Sequence, residues 1–173
     1  GRITEEKGVE TVVQAYEKLQ KYTVKIMGDD TTEEAIRLKR YIKEHKIKNI
    51  EFLGFKSGEE LEDIIKGARF TLIPSIWYDN LPNTALESFQ YSKPVIASNI
   101  GSLPELVVDG ENGYLFKPAD AEDLIKKIKL LDDDTVVEKM GAASRRRLES
   151  RFSPETHYEA LMKVFSEAVK NNK

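Results

Sequence analysis

The chain has 173 residues with no cysteine and two histidines, and its 27 basic and 30 acidic side chains leave a net charge of −3. This length is typical of one domain with a single core. The lack of cysteine excludes a disulfide scaffold, a zinc ribbon and a thiol nucleophile. The acidic balance argues against a nucleic-acid-binding protein. Since no apolar run reaches the roughly 20 residues that span a bilayer and we expect no signal peptide, the sequence predicts a cytoplasmic globular protein.

Short apolar runs alternate with longer amphipathic segments. Runs rich in β-branched or aromatic residues predict strands, and apolar residues at helical spacing predict helices. In chain order we expect a helix over 9–19, a strand over 22–27, a helix over 31–45, a strand over 50–53, a helix from 57, a strand over 70–73, a helix over 83–91, strands over 94–97 and 113–116, and helices around 124–131, 135–150 and 154–169.

Local signals refine these boundaries. Thr31 with Glu34, and Ser57 with Glu60, have the spacing of a capping box at a helix start. Pro154 occupies the first position of the last helix, where proline is favoured. We interpret 70–73 as a strand buried on both faces and 101–107 as a turn.

This alternation predicts an α/β fold with a Rossmann-like, doubly wound parallel sheet and flanking helices over residues 1–173. The sequence opens on a helix with no strand before it, although such a sheet places its first strand in the middle. Either the fold differs or that strand lies upstream, and we favour the second explanation. Without it, two strand edges would be unpaired, which favours aggregation.

Three clusters of polar residues follow predicted strand ends: residues 1–8, 79–87 and 101–107. No GxGxxG, GxxxxGK[ST], HExxH or GxSxG motif is present. In a doubly wound sheet, ligands bind outside the carboxyl ends of the strands, where the winding reverses. The first two clusters would follow the two strands that flank this point. We therefore expect them to meet over one ligand.

The chemistry of these clusters suits an anion joined to hydroxyl groups. Arg2 can bind two phosphate oxygens at once, and Lys7 adds a mobile charge. The helix that begins near Asn83 offers free backbone N–H groups to a phosphate. Glu87 could accept hydrogen bonds from a diol such as ribose, and Asp79 from a second group. A nucleotide sugar combines all of these features.

Each residue also has a plainer interpretation. Arg2 and Lys7 could be ordinary loop cations, Glu87 part of an ion pair or a helix cap, and Asp79 a simple turn residue. Trp77 and Tyr78 could line a sugar pocket, but we favour packing in the core or at a rim. We interpret His45, His157 and Arg145, Arg146 and Arg147 as solvated helix positions.

The ordered set of motifs resembles the C-terminal, donor-binding domain of the group 1 (GT4-like) retaining glycosyltransferases, which have the two-domain GT-B fold. The resemblance runs essentially from end to end. It rests on Gly1-Arg2 with Lys7-Gly8, Gly28-Asp29-Asp30, Phe52-Leu53-Gly54, Pro74-Ser75, an acid seven residues before Glu87, Lys93-Pro94-Val95-Ile96-Ala97-Ser98, Gly101 with Pro104-Glu105, and Gly110-Glu111-Asn112-Gly113 with Leu115-Phe116.

The resemblance implies a role for each matched residue. Arg2 and Lys7 would contact the donor diphosphate, and Glu87 the nucleotide ribose. The other implied positions are phosphate contacts at Asn83 and Thr84, a sugar-facing edge at Asp79, Asn80 and Leu81, and a loop beside the base at Gly54 and Phe55. Asp79 departs from the family pattern, because a glutamate usually stands there. Arg2, Lys7 and Asp79 are the residues we expect to act in catalysis.

The same resemblance implies a hexosyl transfer from a UDP- or GDP-sugar, usually in polysaccharide or glycolipid synthesis, with no metal or other cofactor. The acceptor domain would lie upstream in the same polypeptide and could contact the membrane, and this chain alone would be inactive. Three alternatives remain. They are a nucleotide-sugar epimerase of the same architecture, a non-catalytic nucleotide-sugar-binding module, and a flavodoxin-like signalling domain, which would need an acidic cluster that is absent at the first strand end.

Overall fold

The computed structural model describes residues 2–171, and its strands are short and all parallel. The strands are β1 (Val24–Ile26), β2 (Ile50–Phe52), β3 (Thr71–Ile73), β4 (Val95–Ser98) and β5 (Gly113–Phe116). The helices are α1 (Val9–Lys18), α2 (Glu33–Glu44), α3 (Gly58–Gly67), α4 (Asn83–Gln90), α5 (Leu103–Leu106), α6 (Ala121–Leu130), α7 (Asp134–Arg151) and α8 (Pro154–Asn171), and a single 3₁₀ turn spans Glu5–Lys7. The predicted alternation of strands and helices is confirmed.

The strands form two hydrogen-bonded sheets, β1–β2 and β3–β4–β5. Within residues 2–171 no strand pairing joins them. Instead, the segment before α1 touches both. Arg2 forms an isolated parallel bridge with Asp29, just after β1, and the Glu6 carbonyl accepts a 3.0 Å hydrogen bond from the Ile76 amide, just after β3. This segment therefore lies at the carboxyl ends of both sheets, while a central strand upstream stays a prediction.

Helices cover the sheet on two faces, as a doubly wound fold requires. On one face the buried residues of α1 and α6 pack with Ile96 and Phe116. On the other, α4 and α5 pack against Val95 and Ala97. Because alternate residues of β4 point to opposite faces, this strand serves both halves of the core.

The structure corrects the prediction of which strand is most deeply buried. We interpreted residues 70–73 as buried on both faces, but in β3 only Ile73 is buried. All four residues of β4 are buried instead. The reason is position, since β4 pairs with a strand on each side and β3 stands at the edge of its ladder.

Two local predictions were also wrong. The N-cap of α2 is Thr32, whose side chain accepts a 3.1 Å hydrogen bond from the Ala35 amide, so Thr31 and Glu34 do not form the expected capping box. Thr31 instead donates its hydroxyl to Asp29 at 2.6 Å. Residues 101–107, interpreted as a turn, contain the single-turn helix α5.

The three consecutive arginines of α7 differ from one another, although we interpreted them as one solvated face. Arg146 is exposed, whereas its two neighbours are half-buried. Arg145 donates to the Gln90 carbonyl at 2.8 Å and Arg147 to the Glu105 carbonyl at 2.5 Å. Burial lowers the pKa of Arg147. These contacts tie α7 to the ends of α4 and α5.

Helix α8 carries apolar side chains at helical spacing, and they are exposed, as for Tyr158, Leu161, Met162, Phe165 and Val169. Of the helices that the structure describes, none combines the length and apolar character needed to cross a bilayer. The histidines, His45 and His157, lie exposed, as expected.

Candidate functional site

An ion pair between two of the predicted clusters forms the centre of the site. The Lys7 ammonium lies 2.7 Å from Oδ1 and 3.0 Å from Oδ2 of Asp79, a residue 72 positions further along the chain. An open cleft of about 540 Å³ surrounds this pair, and its lining residues are Arg2, Glu6, Lys7, Trp77, Tyr78, Asp79 and Asn80. The expectation that residues 1–8 and 79–87 meet is confirmed.

Backbone packing fixes Lys7 in this position. Gly8, the residue after it, has φ +65° and lies so close to Pro74 that an added Cβ would stand 1.9 Å from the Pro74 carbonyl oxygen. Glu6, the residue before Lys7, accepts a hydrogen bond at its carbonyl from the Ile76 amide. Because only glycine combines a positive φ with so close an approach, Gly8 lets the loop rest on the end of β3.

Asp79 is held through both its backbone and its side chain. Its carbonyl accepts hydrogen bonds from the Ser102 hydroxyl at 2.8 Å and from the Ser102 amide at 3.3 Å. Its carboxylate accepts a 2.6 Å hydrogen bond from Ser75. Burial opposes the charged form, but the hydrogen bonds from Lys7 and Ser75 prevail and lower the pKa of Asp79. The carboxylate is therefore a fixed anion at neutral pH.

Arg2 supplies a second cation with a different environment. Its side chain is exposed and lines the cleft, and its guanidinium forms no ion pair or hydrogen bond with residues 2–171. A guanidinium presents several N–H donors in one plane, which suits two oxygens of one phosphate. The cleft thus contains one cation paired with Asp79 and one that is free to bind an anion.

The N-terminus of α4 comes three residues after Asn80, which lines the cleft. Its N-cap, Pro82, supplies no side-chain acceptor, and both Asn83 and Thr84 are exposed. Their backbone N–H groups are therefore open to an anion, as at other helix starts. The carboxylate of the half-buried Glu87 has no hydrogen bond or ion pair with any described residue, so neither structural interpretation offered for it applies.

Of the remaining predicted residues, only Asn80 is part of the cleft lining. The exposed Leu81 is not. Gly54 follows β2 with φ +69°, and its carbonyl accepts a 3.0 Å hydrogen bond from the Gly28 amide. Phe55, next in the chain, is 76% exposed. Asn83, Thr84, Glu87, Gly54 and Phe55 are not part of the cleft lining.

Sequence reasoning missed several contributors. Trp77 and Tyr78 were assigned to packing, yet they are 65% and 74% exposed and line the cleft. Ser75 and Ser102 hold Asp79, but Ser75 was noted only as a motif member and Ser102 only as part of the cluster 101–107. The signal for Ser75 was its place directly after a strand, four residues before Asp79. No group of three or more His, Asp or Glu side chains among the described residues is placed to hold a metal ion.

Residues 1–147 match the family described as glycosyl transferases, group 1. The chain belongs to this family. The match covers all three polar clusters and the cleft, and it stops within α7. The group 1 resemblance that the motifs suggested is thereby confirmed.

Relatives in sequence are glycosyltransferases. An uncharacterised glycosyltransferase of Methanocaldococcus jannaschii, MJ1178, is 28% identical over 96% of this chain and 46% of its own length. A glycogen synthase of Mycobacterium tuberculosis is 28% identical over 100% of this chain and 42% of its own. The group 1 chain thus spans less than half the length of these curated relatives.

Solved structures agree with the fold. The Anabaena protein Alr3699/HepE, crystallised with UDP, superposes with a TM-score of 0.87 and 21% identity, covering 96% of this chain and 47% of that protein. The same protein has been crystallised with UDP-glucose. The predicted α/β architecture, the C-terminal half of a GT-B fold, is confirmed.

Proposed function

We propose that this group 1 domain binds the nucleotide diphosphate of a UDP- or GDP-sugar and serves the transfer of its hexose with retention. The observation that carries the proposal is the cleft itself, whose lining includes Arg2, Lys7 and Asp79, and whose lining residue Asn80 comes three positions before α4 begins. Two cations and a helix start suit a diphosphate, since each is attracted to negative charge. UDP and UDP-glucose, which Anabaena HepE holds, carry such a group.

The proposed orientation of the donor follows from the positions around the cleft. Arg2 and Lys7 take the diphosphate together with the amides of Asn83 and Thr84. Glu87, a half-buried carboxylate without a partner among the described residues, accepts hydrogen bonds from the ribose. The base lies toward Gly54 and Phe55, and the sugar toward Asp79, Asn80 and Leu81. A buried carboxylate gains most from such a ligand because its lone pairs are otherwise unused.

The transfer breaks the bond between the sugar and the diphosphate through an oxocarbenium-like state. Negative charge grows on the departing diphosphate, so Arg2, Lys7 and the helix N-terminus stabilise the transition state more than the ground state. We propose that the acceptor site lies in a further domain of the same polypeptide, and that no metal or other cofactor takes part. The span of this chain, under half of its relatives, supports the first of these proposals.

Donor binding is tested by the melting temperature of the chain in UDP, GDP, ADP and the corresponding nucleotide sugars. A ligand at 100 times its dissociation constant stabilises the folded state by about 2.7 kcal/mol. For a chain of this size, that raises the melting temperature by roughly 5–11 °C. We expect one base to give this shift.

Glu87→Ala should abolish or greatly reduce the shift, since the ribose contact is lost. The matched control is Glu138→Ala, which removes an exposed glutamate of α7 and should leave the shift intact. A folded wild-type chain that no nucleotide stabilises would refute the proposal, as would a Glu87→Ala chain that binds normally.

A further inference from the structure

The hydroxyl of Ser75 is buried and lies against Asp79 of the cleft. Ser75 follows β3 and is 1% exposed. Its Oγ lies 2.6 Å from Oδ2 of Asp79 and 3.3 Å from the Glu6 carbonyl. Because a hydroxyl has a single proton to donate, the shorter contact, to Asp79, is the stronger hydrogen bond.

This hydrogen bond leaves Asp79 with one orientation. Ser102 fixes the Asp79 carbonyl, and Ser75 fixes Oδ2, so the backbone and the end of this short side chain are both restrained. The other oxygen, Oδ1, then faces Lys7 at 2.7 Å.

Lys7 depends on this arrangement. Its ammonium stands on a flexible four-carbon chain, which has many rotamers in solution. Among the described residues Asp79 is its only ion-pair partner. The place of the Lys7 charge in the cleft is therefore set by the carboxylate, and that of the carboxylate by Ser75.

We propose that Ser75 is a positioning residue, which orients Asp79 so that Asp79 holds the Lys7 ammonium where the donor diphosphate binds. The proposal rests on the proposed function and deepens it, since it assigns to Ser75 and Asp79 an effect on the diphosphate that passes through Lys7. Asp79 keeps free lone pairs at the sugar-facing edge, but its effect on Lys7 does not require a sugar.

Ser75→Ala removes one donor without altering any charge. We expect it to weaken UDP or GDP binding by about threefold to tenfold, less than the loss of a direct hydrogen bond to a charged group, because Ser75 acts on the diphosphate only through Asp79 and Lys7. UDP and GDP without a sugar should be weakened as well as the nucleotide sugars, because the affected contact is to the diphosphate that all of them contain.

The experiment is calorimetric titration of UDP and GDP, with and without the sugar, into wild type, Ser75→Ala, Lys7→Ala and the double variant. In the Lys7→Ala background, Ser75→Ala should have almost no further effect. The matched control is Ser144→Ala, which removes another buried hydroxyl that donates a 2.9 Å hydrogen bond, to the Asn112 carbonyl in a different part of the fold. It should leave nucleotide binding unchanged.

A second readout needs no nucleotide. The pKa of the Asp79 carboxyl, followed by NMR in the ligand-free chain, should rise in Ser75→Ala, because Ser75 lowers it in the wild type. An unchanged pKa overturns the orienting role of Ser75. Losses that add in the double variant, or a loss confined to the nucleotide sugar, overturn its action through Lys7. If the wild type binds neither UDP nor GDP, the proposed function fails and the diphosphate part of this inference fails with it, while the pKa still decides whether Ser75 orients Asp79.

Discussion

Gly8→Ala probes the contact that places Lys7 in the cleft. An alanine Cβ at this position would stand 1.9 Å from the Pro74 carbonyl oxygen, whereas contacts under 3.0 Å force a shift, so the loop must move away by roughly 1 Å. The positive φ of +65° costs a further 1–2 kcal/mol or so for a residue with a Cβ. Movement would also weaken the Ile76–Glu6 hydrogen bond and the Lys7–Asp79 ion pair, at about 1 kcal/mol or more each. The sum is about 3–5 kcal/mol.

Gly58→Ala separates the cost of a positive φ from the cost of the close contact with Pro74 and the movement it forces. Gly58 begins α3 with φ +56°, and an added Cβ there would meet nothing within 4 Å. The Gly58→Ala variant should therefore lose only the part of the stability that comes from the positive φ, about 1–2 kcal/mol. The two losses differ by about 2–3 kcal/mol, so in thermal unfolding Gly8→Ala should melt lower than Gly58→Ala by about 4–12 °C, since 1 kcal/mol is worth about 2–4 °C in a chain of this size. Equal melting temperatures for the two variants would refute the argument that residue 8 is confined by Pro74.

Two further predictions concern the charges in the cleft. The pKa of Asp79 is lowered below its ordinary 3.8, so its charge contributes fully to stability above that pH. This contribution is lost as the pH falls through the lower pKa of the folded state. Below about pH 4, the free energy of unfolding, measured with denaturant, should therefore depend less on pH in Asp79→Asn than in wild type. A pH dependence identical in the two proteins would contradict this. In the two-domain enzyme that we propose, Arg2→Ala should lower kcat/KM by ~10²–10³, as for other lost contacts to developing charge, while Arg146→Ala, which removes an exposed arginine of α7, should not. Unchanged kcat/KM in Arg2→Ala would remove this residue from the mechanism.

The element pattern could be predicted because it is local. Amphipathic spacing along α1 and α6, and short apolar runs ended by glycine, follow from the sequence alone. Choices between neighbours could not be predicted in this way. Thr31 and Thr32 are chemically identical candidates for the N-cap of α2, and the deciding contact is distant, since Thr32 also donates to the Ile3 carbonyl at 2.5 Å. Burial of β4 over β3 likewise depends on sheet order rather than on composition.

The site shows the same division. That residues 1–8 and 79–87 meet follows from the winding rule for parallel sheets, which needs only the order of the elements. That Lys7 and Asp79 form an ion pair depends on loop conformations at both ends, and no local pattern encodes a contact across 72 positions. Packing was favoured for Trp77 and Tyr78 for a similar reason, because an aromatic pair after an apolar strand has the composition of core residues whether or not the loop turns outward.

The charged side chains of the cleft are placed by neighbours that carry no charge. Gly8 allows the loop to approach Pro74 closely. Ser75 and Ser102 hold Asp79, and the Glu6 carbonyl accepts a hydrogen bond from the Ile76 amide. A lysine and an aspartate on two exposed loops would otherwise lose side-chain entropy on pairing and gain little, as surface ion pairs usually do. Here the backbone contacts hold both loops before the charges meet, so less entropy remains to be lost when Lys7 binds an anion. Substitutions at these small residues should therefore also lower anion affinity, although none of them has to touch the ligand.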